Sequence, residues 1–330
     1  MNKYIGINHQ SILTDSKPDN FAIATYGLTK IYGSYIAVNE VDLQIPRGEI
    51  YGLMGVNGAG KTSMIKMLAA AEMPTTGEIY YNGDRLSDES NNSRIKRCIG
   101  YLPDNYPLYE DLSVEDYLDY FARLYQIPAS RRQIRIYEVL ELVKLEHKRN
   151  SLIPTLSRGM KQRLSLARTI IHEPMVLLLD EPISGLDSIA RKQFRSILGI
   201  LQEAGMTIVI ASPILRDLTE VCTMIGVMDC GFLVDTMSID EINNSCGSKI
   251  IVTILGDLAA LKTELSRHLL IKKWEKIPQQ NSLKISFLGN ESDSAELLRL
   301  LIQKSFTVTE FKVVQDDWET ILLNRRNNLD

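Results

Sequence analysis

The chain has 330 residues, 45% hydrophobic and 24% charged, with a formal net charge of −4. That is the composition of a folded soluble protein with room for two domains, and its acidic balance argues against a general nucleic-acid footprint, which needs a basic face. No apolar run reaches the roughly 18–20 residues of a membrane span, and residues 1–20 lack an apolar core of signal-peptide length, so a cytoplasmic location is expected.

Residues 1–20 are rich in Asn, Ser, Asp and Lys without periodicity, which predicts a mobile tail. From Phe21 to about Val234 apolar strands and helices alternate, as in an α/β domain. Predicted strands are 49–54 (EIYGLM), 78–82 (EIYYN), 98–102 (CIGYL), 175–180 (MVLLLD) and 207–211 (TIVIA). Between Ser113 and Leu145 the period turns helical. Val114, Tyr117, Leu118, Phe121 and Leu124 recur at i, i+3, i+4, i+7 and i+10. After the 207–211 strand, Ser212 and Pro213 predict a helix start, serine as cap and proline in the first turn. Beyond Ser238 the order becomes strand 249–256, helix 258–270, strands 271–277 and 282–289, helix 294–305 and strand 307–314. That β-α-β-β-α-β succession is ferredoxin-like; a last helix is expected over 316–324. Cys98, Cys222, Cys230 and Cys246 form no CxxC pair and have no histidine at metal-ligand spacing. Reduced, mostly buried thiols are expected.

Residues 55–62 (GVNGAGKT) fit G-x-x-x-x-G-K-[ST] in full, between a predicted strand and a predicted helix over 62–71. Gly55, Gly58 and Gly60 let the backbone fold closely, so that its N–H groups surround phosphate oxygens while the helix N-terminus adds positive potential. Lys61 is the candidate contact to the β- and γ-phosphates and Thr62 the candidate Mg2+ ligand. Asn57, Ala59 and Ser63 complete the expected nucleotide contacts. The 175–180 strand ends in two acids. Asp180 is placed to hold Mg2+ through water, and Glu181 to orient an attacking water or accept its proton.

Residues 156–168 (LSRGMKQRLSLAR) resemble the signature motif of ATP-binding cassette (ABC) ATPases. Residues 184–187 (SGLD) resemble their D-loop and 100–104 (GYLPD) their Q-loop region. The resemblance covers Phe21 to Val234. It implies an α/β P-loop NTPase of ABC type with an inserted helical subdomain, followed here by a small α+β ferredoxin-like domain. It also implies ATP and Mg2+ as cofactors and a head-to-tail dimer with a second ABC subunit, the same or a different chain. Each ATP would touch one P-loop and the opposite signature, and the dimer would drive an ABC membrane permease. The tail and the LSRGM-type signature resemble the subgroup serving ABC-2-type exporters, so a peripheral place on the inner face of the cell membrane is expected. Tyr32 is implied as the aromatic stacked on adenine, although an aromatic near a strand also serves packing. Ser157 and Gly159 are implied at the opposing γ-phosphate, although Ser157 alone also reads as an ordinary helix cap. Asp187 joins the implied contacts. No nucleic-acid partner is expected: the ribosome-acting branch resembles tandem cassettes, and the DNA-repair branch needs coiled coils for which 62–156 leaves no room.

Three places depart from the family pattern. In the signature, Arg158 replaces the first glycine and Met160 the terminal glutamine, as in related ABC-2-type proteins. Asp104 stands where the family commonly has Gln and its exporter branch often Glu. It offers an oxygen toward Mg2+ or the water on a shorter arm, and with Asn105 it also reads as a turn. Pro213 stands where the family keeps a histidine that bonds the γ-phosphate and the attacking-water site. Losing one such donor typically costs about 10²–10³ in kcat. Slowed hydrolysis is expected, with a non-hydrolysing, ATP-gated cassette beside a more complete partner as the alternative.

The helical block over about 106–150 is implied as the surface that meets the permease. Tyr106, Leu108, Tyr109 and Leu112 either edge an apolar groove there or pack the loop against the helices. Arg131, Arg132 and Arg135 read as a solvated face. The expected division is a tail over 1–20, a nucleotide-binding domain over 21–237 with its helical subdomain at about 105–170, and an accessory domain over 238–330 for dimer contacts or regulation.

Overall fold

The computed structural model describes residues 21–86, 92–245, 248–278, 281–287, 289 and 291–314. The expected tail, the helix over 316–324 and Cys246 lie outside them. The chain divides into two compact units, 1–237 and 238–330.

In chain order the first unit holds β1 (Phe21–Tyr32), β2 (Tyr35–Pro46), β3 (Ile50–Met54), α1 (Lys61–Leu68), β4 (Thr76–Tyr81), β5 (Asp84–Arg85), α2 (Asn92–Arg97) and β6 (Ile99–Leu102). Then come α3 (Val114–Leu124), α4 (Ala129–Leu142), α5 (Arg158–Ile170), β7 (Val176–Asp180), α6 (Ser188–Glu203), β8 (Thr207–Ser212), α7 (Leu215–Thr219), β9 (Met224–Asp229) and β10 (Phe232–Ser238). The larger sheet runs β10-β9-β3-β8-β7-β6, with β9, β3, β8, β7 and β6 parallel. Its strands β3, β7 and β8 are buried along their whole length. A strand covered on both faces reads as an unbroken apolar run, and for that reason these strands stand out in the sequence. The second sheet, β2-β1-β4-β5, is antiparallel. Its β1–β2 hairpin departs from the simple strand–helix alternation expected after Phe21.

Helix α1 stops at Leu68, short of the expected Ala71, because Ala70 turns left-handed at φ 50°. The N–H groups of Ala71 and Glu72 then close back on the Lys66 carbonyl, an ordinary helix termination. The Ser212 expectation is corrected. Pairing with Met54 keeps Ser212 inside β8, α7 begins only at Leu215 after Ile214, and no side chain caps it. The Ser212 hydroxyl instead accepts the Ile214 N–H at 3.1 Å, so Pro213 sits in a tight turn.

The arginine triplet is also corrected. Arg131 is exposed and pairs with Glu173, but Arg132 donates to Ile127 O and Arg135 donates to Ile170 O and Ile171 O, both at 2.9 Å. Those carbonyls end α5, where the helix pattern supplies no i+4 donor; Ile170 O also accepts the Glu173 N–H at 3.0 Å. Of the described cysteines only Cys222 is buried; Cys98 is half-buried and Cys230 exposed. Tyr109 packs its ring on Tyr117, Tyr120 and Phe121 while staying 40% exposed.

The second unit opens with α8 (Ile239–Ser245) behind a reciprocal cap between Ser238 and Glu241. It continues as β11 (Ser248–Leu255), α9 (Leu258–Leu265), β12 (Ile271–Lys276), β13 (Ser282–Phe287), α10 (Glu291–Gln303) and β14 (Thr307–Val314). The antiparallel sheet is ordered β12-β13-β11-β14, the arrangement that a ferredoxin-like succession requires. Ile250, Val252 and Ile254 alternate inward with Leu283, Ile285 and Phe287, and Leu261, Leu265, Leu297 and Leu301 close over them. Among the described residues no helix is long and apolar enough to cross a membrane.

Candidate functional site

The loop from Gly55 to Gly60 joins β3 to α1 and is pressed between two neighbouring backbones. A Cβ on Gly55 would stand 2.4 Å from Met228 O, and one on Gly60 2.2 Å from Ala37 O. Gly60, at the N-cap of α1, holds φ 104°. No other residue type meets both demands. Lys61, 5% exposed, donates to Gly55 O at 2.7 Å and to Val56 O at 3.1 Å. Burial lowers its pKa, against the nearby Glu181 and Asp180 carboxylates.

A cavity of about 340 Å³ opens on this loop, lined by Tyr32, Tyr35, Ala37, Asn57, Gly58, Gly60, Lys61, Thr62, Ser63 and Glu181. Tyr35 was not legible as a site residue. It faces Tyr32 across the hairpin and its hydroxyl donates to Gly58 O at 3.1 Å; the signal available was a second aromatic three residues on. Tyr32 is 42% exposed, donates its hydroxyl to Glu72 and carries the Lys30 ammonium 5.1 Å from its ring centre.

Asp180 ends β7 at 2% exposure, and its Oδ1 has no hydrogen-bond partner. Burial pushes its carboxyl above the usual range, opposed by a hydrogen bond from Thr62. A buried polar oxygen left unpaired needs a reason, and with the Thr62 hydroxyl it offers the oxygen ligands that a hard cation takes. Glu181 adopts φ 48° and donates its N–H to Ala211 O at 3.0 Å. Burial raises its carboxyl too, and Asp104 adds repulsion.

Glu181 also lines a second cavity of about 260 Å³ with Asp104, Asn105, Tyr106, Arg158, Gln162 and Ser184. Tyr106 donates to Gln162 Oε1 at 2.5 Å. Gln162 lies within the signature stretch 156–168 but is not singled out there as a site residue. Ser157 caps α5 by accepting the Met160 N–H at 3.3 Å, and Asp187 caps α6 by accepting the Ala190 N–H at 2.8 Å. A Cβ on Gly159 would meet Ala190 Cβ at 2.8 Å, so this glycine permits the close approach of α5 and α6. Ser157, Gly159 and Asp187 do not line the P-loop cavity, and Pro213 lines neither cavity.

A family model described as ABC transporter matches residues 38–184. A bacitracin transport ATP-binding protein of Bacillus licheniformis is 32% identical over 90% of this chain and 94% of its own length. The Nod factor export ATP-binding protein I of Ralstonia nicotianae is 32% identical over 74% of this chain and 76% of its own. Among solved structures, cbiO1 of Clostridium perfringens, part of the ABC transporter complex cbiONQ, superposes with a TM-score of 0.63 at 25% identity, covering 68% of this chain and 91% of that one. A dimeric ATP-binding cassette in a post-hydrolysis state with ADP and Pi gives 0.60 at 25% identity, over 66% and 98%.

Proposed function

The chain belongs to the ABC transporter family of ATP-binding subunits, and from that membership we propose that it binds ATP with Mg2+ at the P-loop cavity, dimerises on it and drives an export permease. The observation that carries the site reading is the buried, unpartnered Asp180 oxygen beside the Thr62 hydroxyl, next to a glycine cradle. Mg2+, when bound there, supplies positive charge to the phosphate oxygens.

The chain's own groups do the remaining work. Backbone N–H groups over 58–62, with Asn57, Ala59 and Ser63 beside them, surround the phosphates. Lys61 exchanges its two loop carbonyls for phosphate oxygens. Tyr32 holds the base. Glu181 accepts the proton of the attacking water, and Asp104 steadies that water or the cation from the adjoining cavity. Ser157 and Gly159, at the exposed start of α5, meet the γ-phosphate held by a second subunit, while Asp187 fixes the turn between them and Glu181. The names of the bacitracin transport and Nod factor export relatives favour export. A permease would hold the chain at the inner face of the cell membrane, with the aromatic surface around Tyr109 as its seat and residues 238–330 as an accessory module.

Pro213 favours a second reading, an ATP-gated cassette that dimerises without useful turnover. Steady-state ATPase measurement of the purified chain, alone and with a co-purified permease, separates the two. In the first reading Glu181→Gln removes turnover and retains ATP binding, and Pro213→His raises kcat, by at most about 10²–10³-fold. Turnover unchanged by Pro213→His would remove the missing donor as the cause of slow hydrolysis. No turnover under any condition would establish the clamp.

A further inference from the structure

Arg158 occupies the first position of α5. A cation there opposes the positive end of the helix dipole, and α5 has no acid in its first turn to offset it. Its guanidinium therefore needs an interaction beyond the helix, and it has one. Nη2 donates to Ser184 O at 3.2 Å, and the group lies so close over the SGLD turn that a Cβ on Gly185 would stand 2.4 Å from it. Gly185 is left-handed, at φ 66°, which makes room for that group. Ser184 passes the constraint on by donating its N–H to Glu181 O at 3.2 Å. Glu181 holds φ 48°, a conformation that a non-glycine residue keeps only when its surroundings over-determine it. One tether is the N–H bond to Ala211 in β8. The other runs through Ser184 and ends on Arg158.

We infer that Arg158 is a positioning residue for hydrolysis: by clamping Ser184 and Gly185 it holds the left-handed backbone of Glu181, and so links the start of α5 to the general base. This rests on the hydrolytic role proposed for Glu181. A misplaced reacting group costs far more in rate than in binding, so the signature of the role is a loss in kcat with the ATP KM kept.

The test uses the full chain with Arg158→Gly, Arg158→Lys and Glu181→Gln. Amide hydrogen exchange over 181–187 in the ATP-free protein should become several-fold faster in Arg158→Gly, and Arg158→Lys should restore part of the protection. kcat should fall about ten- to hundredfold in Arg158→Gly with ATP affinity and melting temperature unchanged. Unchanged exchange overturns the inference, and so does faster exchange with unchanged kcat. If the wild-type chain binds ATP but shows no turnover that Glu181→Gln removes, the hydrolytic reading fails instead, and the exchange result alone judges the clamp.

Discussion

At residue scale the two acids at the end of β7, Asp180 and Glu181, carry opposite consequences of one cause. Burial raises both carboxyls above their ordinary ranges. For Glu181 this sets the pH dependence. A general base with a raised pKa is lost early as pH falls, so the acid limb of the kcat/KM profile, which reports the free enzyme, should lie above the range of an ordinary glutamate. Asp104 contributes part of the rise, so Asp104→Asn should move that limb to lower pH; a limb that stays put would show that Asp104 does not act on Glu181. For Asp180 the consequence is stability. Its folded pKa exceeds the unfolded one, so its contribution is favourable at low pH and is lost as pH rises through the folded value. Above that value the ionised group is a burden on the ligand-free fold. Asp180→Asn should therefore stabilise the ligand-free first unit by about 1 kcal/mol, roughly 2–4 °C in melting temperature, while abolishing the stabilisation that Mg-ATP gives the wild type. Paired thermal melts with and without nucleotide check both halves.

At element scale the helical block is joined to the end of α5 by a side chain. Arg135 on α4 spans the Ile170 and Ile171 carbonyls, and the residues bearing them are almost fully buried. Arg135→Ala should cost about 1–3 kcal/mol, the penalty for stranding the buried Ile171 carbonyl while Ile170 O keeps the Glu173 N–H, read as a lower urea midpoint. Arg135→Lys should recover less than half, because a point ammonium cannot bridge two carbonyls as a planar fork does. Equal stability of the alanine variant and the wild type would show that water satisfies that carbonyl equally well. The triplet at 131, 132 and 135 looked like a solvated face because sequence records charge and spacing, not the partner that α5 presents. The start of α5 was more legible. Ser157 reads as a cap from local pattern alone, and it is one. Ser212 reads the same way and is not, because the ladder to β3 extends the strand through it.

At the scale of the whole molecule, the second unit has its own core of strand and helix side chains. Phe287, fully buried there, should cost about 3–5 kcal/mol on change to alanine. That loss should appear in the unfolding of residues 238–330 alone and leave ATP affinity unchanged; weakened ATP binding would show that the second unit supports the nucleotide site. The sequence by itself determined what local chemistry demands: the glycine loop with Lys61 and Thr62, the strand ending in Asp180 and Glu181, the fully covered strands of the central sheet and the β-α-β-β-α-β order of the tail. Each is written in contiguous residues, since a phosphate cradle, an apolar strand and a cap are satisfied within a few positions. Only the tertiary structure decided that Tyr35 joins Tyr32 at the cavity, that Gln162 and Arg158 line the space behind Glu181, and that Arg135 closes α5. Those meetings depend on sheet register and helix packing between segments far apart in the chain, and residue spacing carries no record of either.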